Sequence, residues 1–217
     1  VLTPFKLHGR AVELEPLDPT HVLGLAKAAG EDRSSFVYSE VPDGIGEFEA
    51  YVEQNVKLAR SGRQVPFAIR LLAEDRIVGA TRFMDLEVFE WPPPWPPGVT
   101  KGRAPSDERP PSVCEIGGTW YAASVQRTIV NTETKLLLLS HAFEAWGVLR
   151  VTLKTDSRND RSRAAIVRIG ASFEGIRRVH SPSFDGGVRD TAYYSIVSSE
   201  WEDVRARLTT MRDKSRS

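Results

Sequence analysis

Apolar and polar positions divide the chain into a readable series of elements. Ala11-Val-Glu-Leu-Glu-Pro-Leu17 alternates apolar and polar residues, which predicts a strand. Asp18-Pro19 is a helix-start signal, so a helix is expected over about Thr20–Ala29. Phe48, Tyr51, Val52, Val56 and Ala59 recur at the spacing of an amphipathic helix, predicted over Gly46–Arg60 and ended by Ser61-Gly62. Phe67–Leu72 and Arg76–Phe83 flank the polar turn Ala73-Glu-Asp75 and predict a hairpin.

The pattern breaks between residues 91 and 112. Trp91-Pro-Pro-Pro-Trp95-Pro-Pro-Gly98 can form neither a regular helix nor a central strand, so polyproline geometry and turns are expected there. The stretch is too long for an ordinary connection and reads as an insert, either a flap over a site or a surface loop. Order returns with a strand over Val113–Ala122, a polar turn at Gln126–Asn131 and a helix over Thr132–Trp146 that stops at Gly147. A β-branched strand over Val148–Thr155, a turn at Asp156–Asp160 and a short helix over Ser162–Ile169 follow. Phe173–His180 and Asp190–Val197 predict a second hairpin around Asp185-Gly-Gly187. A closing helix over Ser199–Leu208, capped by Ser198 or Ser199, leads to a polar tail from Arg212 expected to fray. The order β α α β β β α β α β β α describes a mixed α/β (α+β) sheet covered by helices, in one domain spanning residues 1–217.

Composition narrows the partners. Lys plus Arg and Asp plus Glu each number 29, so zero net charge gives no global case for nucleic acid or an anionic membrane. The Arg-rich segment from Arg150 to Arg178 reads as either a local basic patch or a solvated helix face, the latter being the expectation. One cysteine, Cys114, rules out an internal disulfide; in an apolar strand it reads as a buried, inert thiol. No apolar run approaches ~20 residues and no signal peptide pattern opens the chain, so a soluble cytoplasmic protein is expected. Cys and His do not cluster at zinc spacing, and neither a Gly-x-Ser-x-Gly elbow nor a phosphate-loop Lys-Ser/Thr signature occurs.

Two strand-to-helix junctions carry the candidate chemistry. At Gln126–Thr132 the start of a helix offers backbone N–H groups and a favourable dipole to a diphosphate, with Gln126, Arg127, Thr128 and Asn131 adding side-chain donors. One strand later, Asn159-Asp-Arg-Ser162 places two short polar groups at a second junction, where they cap a helix, face the same crevice, or do both. Glu115, at the start of the strand that leads into the first junction, is the candidate general base, since a partly desolvated carboxyl can have a raised pKa; a salt-bridged strand-end glutamate is the competing reading. His141 reads as a packing or surface histidine, and His180 and Asp190 as structural members of the last hairpin.

The order and spacing of Glu115-Ile-Gly117, Gln126-Arg127, Asn131-Thr-Glu133, Asn159-Asp-Arg-Ser162, Gly170-Ala-Ser-Phe-Glu-Gly175, Arg189-Asp190 and Glu200-Trp201 resemble the acyl-CoA-binding core of the GNAT acetyltransferases. Within that superfamily the chain is most similar to the branch of ribosomal-protein N-terminal acetyltransferases. The resemblance runs from about Ala11 to Leu208 and is specific from Val113 onward. It implies a single GNAT-like domain whose mostly antiparallel sheet is splayed between the fourth and fifth predicted strands, with acetyl-CoA, a co-substrate, in the splay. The backbone of Trp120, Tyr121 and Ala122 would pair with the pantetheine arm, and a backbone N–H near Tyr121 or Ala122 would serve as oxyanion donor. The N–H groups of Gln126, Arg127, Thr128, Ile129, Val130, Asn131 and Thr132 would hold the pyrophosphate. Asn159 would contact the pantetheine or acyl end, and Ser162 would be the acid for the departing thiolate. Ile129 and Asn131 stand where the family loop usually carries glycine, which predicts either a different loop path or a pyrophosphate held partly by Arg127. The implied reaction transfers an acetyl group to a primary amine, of a protein N-terminus or lysine, by a monomer or homodimer without a metal. The alternatives are a small-molecule amine acceptor, or a non-catalytic acyl-CoA-binding module.

Overall fold

The computed structural model describes residues 1–92, 105–183 and 185–214, so most of the Trp91–Gly98 segment lies outside the described residues. Eight strands form one sheet: β1 (Leu7–His8), β2 (Val12–Pro16), β3 (Val65–Leu71), β4 (Arg76–Glu87), β5 (Val113–Tyr121), β6 (Arg150–Asp156), β7 (Ser172–Pro182) and β8 (Val188–Val197), in the order β1-β2-β3-β4-β5-β6-β8-β7. Every neighbouring pair is antiparallel except β5 and β6. The helices are α1 (Val22–Ala29), α2 (Gly44–Arg60), α3 (Ile129–Ser140), α4 (Asp160–Arg168) and α5 (Trp201–Lys214).

Successive residues of a strand point to opposite faces, and the helices divide accordingly. α1 and α2 pack together over β3 and β4, while α3 and α5 pack together against the other face near β1 and β2. An aromatic cluster fixes each layer. Trp120 of β5 meets Phe48 of α2 at 5.8 Å and Phe36 at 5.9 Å on one face. On the other, Phe83 of β4 meets Trp146 at 4.6 Å, and His141 stacks on Phe5 at 4.0 Å. His141 is thus a packing residue, and burial pushes its pKa down to about 4.

Several boundaries move from their expected places. β1 pairs Leu7 with Leu14, a two-residue strand too short to show periodicity. α3 begins at Ile129 rather than Thr132, with Thr128 as its cap, and after Ser140 it passes into a π-helical turn over His141–Ala145. α5 runs to Lys214, past the expected fraying point at Arg212. The Arg-rich segment is not a bare solvated face: Arg158 bridges Asp156 and Asp185, and Arg163 donates to Tyr194 Oη. Cys114 is buried, and burial pushes its thiol pKa well up.

Candidate active site

The parallel pair is the irregular place in the sheet. β5 has nine residues, yet it pairs with β6 only at Val113–Glu115 against Arg150–Thr152. Beyond Glu115 the two strands part, and the β6-facing edge of β5 has no strand partner among the described residues. The opening is a cleft of about 1380 Å³, lined by both strands, the start of α3, and α4. At the same point β5 bulges against β4, with Gly118 at φ +56°, where a Cβ would lie 2.7 Å from the Arg82 guanidinium carbon. Gly117 is equally confined, because a Cβ would meet Glu115 Oε1 at 2.7 Å. The left-handed backbone favours glycine at 118, while at 117 a side chain would have to displace the ends of Glu115 and Met84.

At the mouth of the cleft, Thr128 caps α3 by accepting from Val130 N–H at 3.3 Å. Ile129 and Asn131 lie in the first helical turn, where β-branched and polar side chains are tolerated. The left-handed residue of this segment is Arg127, at φ 61°. Of the two expectations for this loop, the different path is the one seen: the helix starts earlier and the left-handed position falls at Arg127. Gln126 is corrected as a diphosphate donor. Its N–H goes to Ala123 O at 3.2 Å. Its side-chain amide donates to Ser35 Oγ and Tyr121 O and accepts from Arg161. Gln126 ties the turn to its surroundings, and the backbone of Arg127 to Asn131 faces the mouth.

The other expected residues divide similarly. Trp120 is a buried anchor packed toward α2, and Tyr121 donates to Asn131 Oδ1 at 3.0 Å. Ala122 cannot lend its N–H to an oxyanion, since that group donates to Val78 O at 2.8 Å. Thr132 Oγ1 accepts from Arg168 of α4 at 3.2 Å, tying the two cleft helices together. Asn159 caps α4 by accepting from Ser162 N–H at 3.0 Å, and both residues line the cleft, so capping and facing the crevice coexist.

Glu115 sits at the apex, where β5 and β6 separate. It is buried and ion-paired to Lys154 at 2.5 Å, and Lys154 reaches Asp85 at 2.8 Å. Glu115 is a strand-end ion pair, and it also lines the cleft. Burial pushes its pKa up to about 7, with Lys154 opposing and Asp85 reinforcing the rise. A carboxylate held there is poised to take a proton at neutral pH. His180 and Asp190 act structurally: His180 Nδ1 lies 2.8 Å from Thr191 Oγ1, and Asp190 accepts from the N–H of left-handed Val179. Lys135, absent from the expected site, lines the same cleft. Among the described residues no group of three or more His, Cys, Asp or Glu is placed to hold a metal ion, and no helix is long and apolar enough to cross a membrane.

A sheet that opens between two parallel strands, with a helix N-terminus at the mouth, is the framework of an acyl-CoA N-acyltransferase. The acetyltransferase (GNAT) domain family matches residues 11–172, and the chain belongs to that family of acetyl-CoA-using N-acetyltransferases. A GCN5-related N-acetyltransferase from Brucella melitensis is similar in structure, with TM-score 0.77 and 26% identity over 96% of this chain and 85% of that one. A protein from T. thermophilus has TM-score 0.73 and 29% identity over 97% of this chain and 98% of that one. Mycobacterium smegmatis RimJ in complex with CoA-disulfide shares the fold, with TM-score 0.71 and 20% identity over 97% and 93% of the two chains. No curated protein matches the chain.

Proposed function

We propose that the chain works as one acyl-CoA N-acyltransferase domain that transfers an acetyl group directly from acetyl-CoA to the primary amine of a polypeptide. The observation that carries this is the three-residue pairing of β5 with β6, which opens a cleft between a helix N-terminus and a buried glutamate. The diphosphate would sit at Arg127–Asn131, where first-turn N–H groups have no intrahelical partner. The pantetheine arm would run along the unpaired edge of β5, exchanging hydrogen bonds with its backbone as a missing strand would. That the similar RimJ structure holds CoA-disulfide is in keeping with a coenzyme A ligand.

The amine would enter at the apex. Glu115 takes its proton as nitrogen attacks the thioester carbonyl, N–H groups near the Gly117–Gly118 bulge steady the oxyanion, and the Ser162 hydroxyl faces the departing sulfur. A polypeptide acceptor is favoured by the size of the cleft, about 1380 Å³, which extends to the Tyr38–Val41 segment. Thiol release should be measured with acetyl-CoA against peptides with free N-termini, peptides with blocked N-termini and one lysine, and small amines. Turnover confined to peptides is expected. Turnover confined to small amines would overturn the acceptor class, and acetyl-CoA binding without turnover on any amine would overturn direct transfer.

A further inference from the structure

Lys135 is the cleft's unexplained charge. It lies on α3 with 6% exposure, and its hydrogen bond is from Nζ to Thr119 Oγ1 at 2.8 Å, a hydroxyl that also meets Thr81 Oγ1 at 2.8 Å. It forms no ion pair among the described residues. Its protein partner is a neutral hydroxyl, so no carboxylate hydrogen-bonds this buried charge, and its remaining donors are available to the cleft. Burial pulls its pKa down to about 7, against the pull of Glu115. The charged group that acts on it is Glu115 on β5, which is itself paired to Lys154, and Arg168 of α4 reaches the same helix at Thr132.

Its place along the cleft points to one role. Lys135 is six residues past the start of α3 at Ile129, about 9 Å along the helix axis. It therefore stands between the mouth, suited to a diphosphate, and Glu115 at the apex. Between its diphosphate and its acyl group, an acyl-CoA arm carries amides and a hydroxyl, all neutral. The sulfur is the atom of that arm that leaves with negative charge. Ser162 can hydrogen-bond it, but an aliphatic hydroxyl holds no spare proton near neutral pH.

We propose that Lys135 is a further catalytic residue of the transfer, the ammonium that faces the departing sulfur and protonates it. The proposal rests on the direct-transfer reading above. The amine nitrogen bonds to the acyl carbon, and its proton passes to Glu115. The carbon–sulfur bond breaks with its electron pair on sulfur, Lys135 gives the sulfur a proton, and amide and free thiol depart. The site then holds neutral Lys135 and protonated Glu115. Its total charge is unchanged, and one proton passing from Glu115 to Lys135 through water restores it, so the two groups titrate as a pair.

Lys135→Met and Lys135→Cys test this by thiol-release kinetics, acetyl-CoA calorimetry and thermal melts. In Lys135→Met, kcat should fall by about 100-fold or more, the size of a lost general acid, with acetyl-CoA Kd within about threefold of wild type and Tm unchanged or higher. Treating Lys135→Cys with 2-bromoethylamine rebuilds a lysine-like amine, and the buried Cys114 gives the wild-type control. Recovery of a tenth or more of wild-type kcat is expected. A kcat within threefold of wild type in Lys135→Met would overturn the proposal, as would loss of Kd in step with kcat, or an alkylated Lys135→Cys chain that melts like wild type and stays inactive. A wild-type chain that turns over no amine would instead sink the direct-transfer reading.

Discussion

Two faces of helix α3 bury charge in opposite ways. On the outer face Glu133, 1% exposed, accepts from three backbone N–H groups, those of Arg10, Ala11 and Val12, at 2.9, 2.5 and 3.0 Å. It is fully satisfied and fastens the β1–β2 turn to the helix, while Gly9 leaves room for it, since a Cβ there would lie 2.8 Å from its carboxyl carbon. Two residues on, Lys135 faces the cleft with one hydroxyl for company. Satisfied buried charges hold a fold together, and under-satisfied ones in a cleft mark where chemistry or a ligand completes the set.

Removing Glu133 gives the largest stability effect this comparison predicts. Glu133→Ala strands three donors and should cost about 3 kcal/mol or more, lowering Tm by roughly 10 °C. Well below Tm, kcat should stay near wild type. A loss of kcat with an unmoved Tm would dissolve the distinction between the faces. The cleft face predicts the reverse for stability. Because burial holds Lys135 at about 7, below the ordinary 10.5, the unfolded chain binds that proton more tightly. Stability from this residue therefore rises with pH from about 7 toward 10.5, and in Lys135→Met that rise disappears.

Lys154→Met probes the apex. Lys154 opposes the upward push of burial on Glu115, so its removal raises that pKa further. The acid limb of the rate profile should move to higher pH, and the rate at pH 7 should fall by roughly fivefold for a shift of about one unit from about 7. An unmoved limb would assign that limb to another group. Arg127→Gly gives the smallest stability effect. Relief of its left-handed backbone and the added freedom of the unfolded chain offset, leaving stability within about 0.5 kcal/mol of wild type. Loss of its guanidinium from the mouth should weaken acetyl-CoA binding several-fold by calorimetry; an unchanged Kd would remove it from the diphosphate site.

The same contrast explains what the sequence could reveal. Alternation and helical spacing locate β2 to β8 and all five helices to within a few residues, and the junctions at Gln126–Thr132 and Asn159–Ser162 do open on one cleft. The start of α3 is obscured because Thr128 and Asn131 are both good caps and Ile129-Val130 reads as β-branched, non-helical sequence. Thr-Glu-Thr-Lys at 132–135 looks like a solvated polar face, yet Thr132, Glu133, Thr134 and Lys135 are all buried. Nothing local to a helix reports that a distant β1–β2 turn will cover Glu133 or that two strands will part beside Lys135. Gln126 likewise carries the polar character of a ligand donor, but its partners, Ser35 and Arg161, are far away in the chain.

The central claim is that Glu115 accepts the amine's proton in a cleft that binds acetyl-CoA independently of it. Thiol release by wild type and Glu115→Gln, measured from about pH 5.5 to 9 with a saturating amine acceptor, tests this most directly. Carboxylate Glu115 and ammonium Lys135 are the working forms, so the wild-type rate should rise with pH toward about 7 as Glu115 ionises and fall above it as Lys135 loses its proton. Glu115→Gln should lose that rise and about 100-fold or more of kcat while keeping its acetyl-CoA affinity. A Glu115→Gln rate and pH profile matching wild type would contradict the account.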